Sequence, residues 1–124
     1  MVRLTTASFF NRRVAEMDLV RVRISLGYPR HGFGHIDTCV RELMPSGLLH
    51  LQEPEYLIEY RARLEAVGLD TLREIFEGIS AERGGRDLVL LCFENLAKPG
   101  AWCHRRMFAH WWEEKTGEQV EELA

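Results

Sequence analysis

The sequence predicts a small α/β domain in three layers, a mostly parallel sheet flanked by helices, and three stretches predict it. "DLVRVRISLGYPR" sets Val20, Val22, Ile24 and Leu26 on one face and Arg21, Arg23 and Ser25 on the other, the period-2 pattern of a half-covered strand. Leu88 to Phe93 is a continuous apolar run of strand length, as expected of a strand covered on both faces. Between them lie two helical stretches, and strands that alternate with helices form parallel sheets.

The elements follow in order. Val2 to Ala7 opens with β-branched residues and predicts a first strand. Leu19 to Ser25 is the second, ended by Gly27 and Pro29. "GYPRHGFGH" holds three glycines and a proline, so it is irregular. Ile36, Val40 and Leu43 recur at helical spacing and predict a short helix before Pro45, and "SGLLHLQ" a short strand. Pro54 suits a first helical position, with Leu57, Tyr60, Leu64 and Val67 as the buried stripe and Gly68 as the stop. Thr71 and Glu74 read as a capping box before Leu72, Ile75, Phe76 and Ile79. Ala101 to Thr116 closes the fold, with Met107, Phe108, Trp111 and Trp112 on its covered side. The acidic tail, about 117–124, is expected to be solvated or frayed.

At 124 residues the chain is one domain, long enough to bury about two-thirds of its unfolded-state surface. No apolar run approaches the ~20 residues of a membrane span, and the N-terminus lacks the apolar core of a signal peptide. A cytoplasmic location without a membrane partner is therefore expected. Three cysteines, Cys39, Cys92 and Cys103, are an odd count that argues against a disulfide framework. The net charge of −3 argues against sequence-blind coating of nucleic acid. Within residues 1–42, however, seven arginines stand against four acids, which leaves room for a local basic pocket. Arginine's planar fork suits phosphate or carboxylate.

Ligands of open α/β sheets bind beyond the carboxyl ends of strands, beside helix N-termini. Three pieces of the chain could converge there: Arg23 and Ser25 running into Arg30, then Cys92-Phe93-Glu94, then Cys103-His104-Arg105. Glu94, one residue past a buried strand, would be partly desolvated, which raises a carboxyl pKa and suits acid/base work. The plain alternative pairs it with Arg23 or Arg105. Cys103, in a helix's first turn beside Arg105, is placed where a thiolate is favoured, although buried cysteine is most often packing. The spacing is not that of the Cys-x5-Arg phosphatase cradle, because position 109 is Ala109. His104 could move protons or cap the helix. Arg105, Arg23 and Arg30 are candidate anion clamps. Trp102, in the loop before the helix, is a candidate for stacking on a base. Cys92 reads as packing. His31, His35 and Cys39 are spaced for one helix face, but Gly32 and Gly34 deprive that spacing of geometric force.

"LVLLCFENLAKPGAWCHRRMFAHWW" resembles the end of a bacterial, archaeal and phage family known as domain of unknown function 488. The hallmarks are a hydrophobic strand, Cys-x-Glu, a short loop, and Cys-His-Arg opening a helix. Cys92-Phe93-Glu94 and Cys103-His104-Arg105 carry them here, and Arg23, Ser25, Pro29 and Arg30 match the family's earlier strand and turn. The family's aspartate before the strand arginine is missing in "VRVRIS". The resemblance covers about half of the chain and implies an α/β fold with one site joining these segments. It supplies no reaction.

Three functions fit. The first is an enzyme, a hydrolase or transferase, acting on a phosphate-bearing or nucleotide-like substrate, with Glu94, Cys103 and His104 catalytic and Arg105, Arg23, Ser25, Arg30 and Trp102 binding, and no metal or cofactor. The second is a non-catalytic module binding a nucleotide or nucleic acid, such as a phage or bacterial accessory protein. The third is a metal-binding protein using Cys92, Cys103, His104 and His35.

Overall fold

A computed structural model describes residues 1–30 and 35–124; His31, Gly32 and Gly34 of the His31–Cys39 spacing lie outside them. The sheet has five strands, all parallel: β1 (Leu4–Ser8), β2 (Val20–Arg23), β3 (Thr38–Cys39), β4 (Leu88–Cys92) and β5 (Glu121–Glu122), in spatial order β3-β2-β4-β1-β5. The predicted α/β class and parallel sheet are therefore present. β4 lies between β1 and β2, with Leu4 opposite Leu88 and Val20 opposite Leu88 on its other side. That central position explains its unbroken apolar run, since Leu88 to Cys92 are fully buried.

The pleat sorts side chains to two faces. Leu4, Val20, Val22, Ile24, Leu88, Leu90 and Cys92 join the main core with α1 (Glu53–Val67), α2 (Leu69–Ala81) and α3 (His104–Thr116). The other face buries Ala7, Val89 and Leu91 against Phe9 and Val14. Its cover is thin, a 3-10 turn over Arg12–Glu16 with its flanking loops. Arg21 and Arg23 face that side too. Both are buried, and their guanidinium groups donate to the carbonyls of His35 and of Ser25 and Leu26, respectively.

The middle of the chain departs from expectation. Ile36, Val40 and Leu43 do not share a helix, because Thr38–Cys39 pairs with β2 as an edge strand and a 3-10 turn follows at Arg41–Leu43. Residues 46–50 form turns rather than a strand. In α1 Tyr60 and Leu64 of the expected stripe are buried and Val67 packs against the core, but Tyr56 takes the place of Leu57, which is on the exposed side. Tyr60 Oη donates to the carbonyl of Leu43, 2.6 Å away. α2 begins at Leu69, so Thr71 is inside the helix and makes no capping box.

Gly68 separates α1 from α2 at φ 92°, ψ 147°. That region is close to glycine-only. A Cβ there would meet nothing within 4 Å, so Gly68→Ala tests backbone strain alone. It is expected to lower stability by about 1–3 kcal/mol, read as a lower urea midpoint, and an unchanged midpoint refutes the strain account.

The tail is the largest correction. Instead of fraying, Val120 is buried and Glu121–Glu122 adds a fifth strand beside Thr5 and Thr6. Arg106 Nη1 donates to Thr6 Oγ1 and to the Val120 carbonyl, and Asn11 Nδ2 to the Leu123 carbonyl. Among the described residues, no helix is long and apolar enough to cross a membrane.

Candidate functional site

A cleft of about 500 Å³ opens at the carboxyl ends of β2 and β4. Its wall is apolar and aromatic, with Pro45, Leu49, Leu51, Tyr56, Phe93 and Trp102. Ser25, Glu94, Cys103 and His104 supply its polar groups. Three of these, Glu94 from the β4 exit and Cys103 and His104 from the start of α3, are folded together by the loop 95–102.

α3 starts at His104, three residues later than expected, so Cys103 is its N-cap rather than part of its first turn. Cys103 Sγ donates to Glu94 Oε2 at 3.2 Å and stands 3.7 Å from His104 Nδ1. His104 Nε2 is 2.7 Å from the Ile24 carbonyl. A carbonyl only accepts, so Nε2 carries the proton and Nδ1 presents a lone pair towards Cys103. Burial holds the His104 pKa down at about 4; the bond to Ile24 opposes that shift and the charge of Arg105 adds to it. The imidazole is thus neutral at pH 7 and is not a cap. Glu94 is exposed at the cleft mouth, which removes the desolvation argument made for it from sequence. Nearby, burial and then the charge of Glu94 hold the Tyr56 phenol well above its ordinary pKa, so it stays protonated.

Cys92 does more than pack. Its sulfur touches that of Cys103, while their Cα atoms are 7.9 Å apart, beyond the roughly 4.4–6.8 Å of ordinary disulfides. Arg105 Nη1 donates to Cys92 Sγ at 2.9 Å. Arg105 itself is 0% exposed, and its Nε and Nη2 grip the two carboxylate oxygens of Glu122 at 3.0 and 2.9 Å. Nη2 also donates to the Glu94 carbonyl. Arg105 therefore holds the loop and the tail, and its ion pair is with Glu122 rather than with the Glu94 carboxylate.

The other sequence candidates divide. Arg23 curls onto its own loop, donating to Ser25 and Leu26 and lying 4.0 Å from the centre of the Tyr28 ring. Ser25 faces the cleft, but its hydroxyl is bonded to the Gly27 carbonyl. Arg30 is exposed and borders neither this cleft nor its neighbour. Trp102 is in the wall, edge-on to Tyr56 at 4.9 Å. His35 lies elsewhere, 3.2 Å from Asp37.

A second cleft of about 1080 Å³ adjoins the first and shares Phe93, Glu94 and Trp102 with it. Arg12, Arg13 and Lys98 line it, all exposed. Sequence reading missed these cations, although "NRR", two residues beyond the first strand, carries the signal: it places two arginines near a strand's carboxyl end. Comparison with protein-family models, with curated proteins and with solved structures found no match to this chain.

Proposed function

We propose that the protein is an enzyme acting on a nucleotide-like substrate. Its base occupies the aromatic cleft, its phosphate lies over Arg12, Arg13 and Lys98, and Glu94 is the general acid/base. The observation that carries this reading is the Glu94 carboxylate, bonded to the Cys103 thiol at the mouth of an aromatic-walled cleft at the strand ends. An acid held 3.2 Å from a proton-bearing sulfur is within proton-transfer reach. Aromatic walls bind a base by stacking without reading its sequence. The resemblance to the 488 family enters as part of the proposal: its two signature pieces, Cys92-Phe93-Glu94 and Cys103-His104-Arg105, are the ones that face each other here.

The test is turnover of a panel of nucleosides and nucleoside monophosphates, followed by chromatography, with binding read from tryptophan fluorescence. Wild-type protein is expected to consume at least one member. Glu94→Gln should keep binding and lose about 10²–10⁴-fold in rate. Arg12→Ala with Lys98→Ala should weaken the monophosphates and spare the nucleosides. Binding without turnover in wild type and variant alike would establish the non-catalytic module instead.

A further inference from the structure

Cys92 Sγ, Cys103 Sγ and His104 Nδ1 form a group of electron-pair donors within 4.8 Å of one another. Each is buried. The imidazole lone pair is aimed at sulfur by the bond from Nε2 to the Ile24 carbonyl. The donors converge on one point, and the backbone separation of the cysteines exceeds that of an ordinary disulfide. We propose that Cys92, Cys103 and His104 hold one zinc ion, with the fourth coordination position open to the aromatic cleft.

One donor pair already has the spacing of that ion; the two sulfurs, which touch, would move apart on loading to take their places around it. Zinc bonds sulfur at about 2.3 Å and imidazole nitrogen at about 2.0–2.1 Å, so tetrahedral angles separate the two donor atoms by about 3.6 Å. The observed distance from Cys103 Sγ to His104 Nδ1 is 3.7 Å. Two thiolates and an imidazole are soft to intermediate donors that favour zinc over the oxygen-seeking cations. The surrounding bonds also have the usual supporting form. His104 gives its other N–H to a backbone carbonyl, and Arg105 Nη1 donates to Cys92 Sγ, which stabilises a thiolate there.

Three protein ligands with one position left over is the pattern of catalytic rather than structural zinc. Cys103 and His104 line the cleft and Cys92 does not, so the remaining position faces the substrate. On loading, the ligand thiols give up their protons, and Glu94 Oε2 at 3.2 Å is the acceptor for that of Cys103. Glu94 is exposed and passes that proton to solvent, and the carboxylate so regenerated would serve as base for a water bound to the ion. The metal assignment rests on the placement of the site given above, but its test uses no substrate, so it stands or falls apart from turnover.

The experiment is metal analysis of the full chain, purified under reducing, chelator-free conditions. About one zinc per chain is expected. Replacement by cobalt(II) should give thiolate-to-cobalt charge-transfer absorption and the intense visible bands of a tetrahedral ion. Thiol titration keeps the proposal falsifiable even where ligand variants fail to fold. With zinc bound, Cys39 should react while Cys92 and Cys103 resist, and a chelator should expose all three. Cys92→Ser, where it folds, should lose most of the zinc and the charge-transfer band. Zinc below about a tenth of an equivalent with chelator-independent thiol reactivity would overturn the proposal. So would a mass deficit showing a Cys92–Cys103 disulfide in the reduced preparation.

Discussion

Glu122→Ala is expected to lower stability by about 3 kcal/mol, the lower end of the cost of removing one partner of a buried ion pair. The side chain of Arg105 is 1% exposed and that of Glu122 25%. The pair is bidentate, through Nε to Oε1 and Nη2 to Oε2, the strongest common geometry for this contact. Removing the carboxylate leaves the guanidinium buried with only the Cys92 sulfur and the Glu94 carbonyl as partners. It also takes from Thr6 Oγ1 its nearer acceptor and leaves it only the Glu121 carbonyl at 3.4 Å, and so loosens β5. Glu122→Gln keeps the shape and should cost less. Pairing Glu122→Leu with Arg105→Met should recover much of the loss, because two apolar groups leave no stranded charge. Urea unfolding reads all three. A loss below about 1 kcal/mol for Glu122→Ala would mean that the guanidinium finds water, and that the pair is a surface contact.

That pair also shows where the sequence stops being readable. The apolar run of β4 is legible because it reports burial on both faces of its own strand. The alternation of Val20, Val22 and Ile24 against Arg21 and Arg23 reports the strand and its core face but not the burial of the two arginines on the other face. Glu121–Glu122 carries no such pattern. Two glutamates are poor strand formers, and they are held in the sheet by Arg105, Thr6 and the backbone of β1, with Arg106 on the carbonyl of the preceding Val120. Those partners lie far away along the chain, so local composition pointed to a solvated tail. The two-residue β3 is too short to show any period. In α1, Tyr60 and Leu64 belong to either phase, and the choice between Tyr56 and Leu57 depends on what α3 and the loop before it present.

For the site, Glu94, Cys103 and His104 were legible from their positions at a strand end and a helix start, and the structure brings them together. The arginines were not. Whether a guanidinium faces a cleft or turns inward depends on which acceptors lie within reach. Arg23 finds the carbonyls of its own turn, and Arg105 finds the tail. The exposed cations fall instead on Arg12, Arg13 and Lys98, at segments that sequence periodicity passes over as loop. Cys92 was read as packing because its strand is apolar, and its burial agrees with that. Its contact with Cys103 depends on the path of the loop 95–102, which no local pattern encodes.

Trp111→Ala is expected to cost about 3–5 kcal/mol, the range for truncating a fully buried tryptophan. Trp111 is 0% exposed and packs against Phe108 and Trp112, with ring centres 6.3 and 6.5 Å away. Its Nε1 donates to Glu65 Oε1 on α1 at 3.1 Å. Glu65 is exposed, so that bond contributes little and the loss is chiefly packing and cavity. Trp111→Phe separates the two: it keeps much of the ring and drops the donor, and it should cost well under half as much as the alanine. Glu65→Gln should change stability by less than about 0.5 kcal/mol. The consequence reaches the site, because α3 carries Cys103 and His104 at its start while α1 carries Tyr56 into the cleft wall against Trp102. Loosening the α1–α3 contact should therefore weaken nucleotide binding as well as stability, with no cleft residue changed. If Trp111→Ala lost less than about 1.5 kcal/mol, or lost stability with binding intact, the two helices would not be acting together to set the geometry of the cleft.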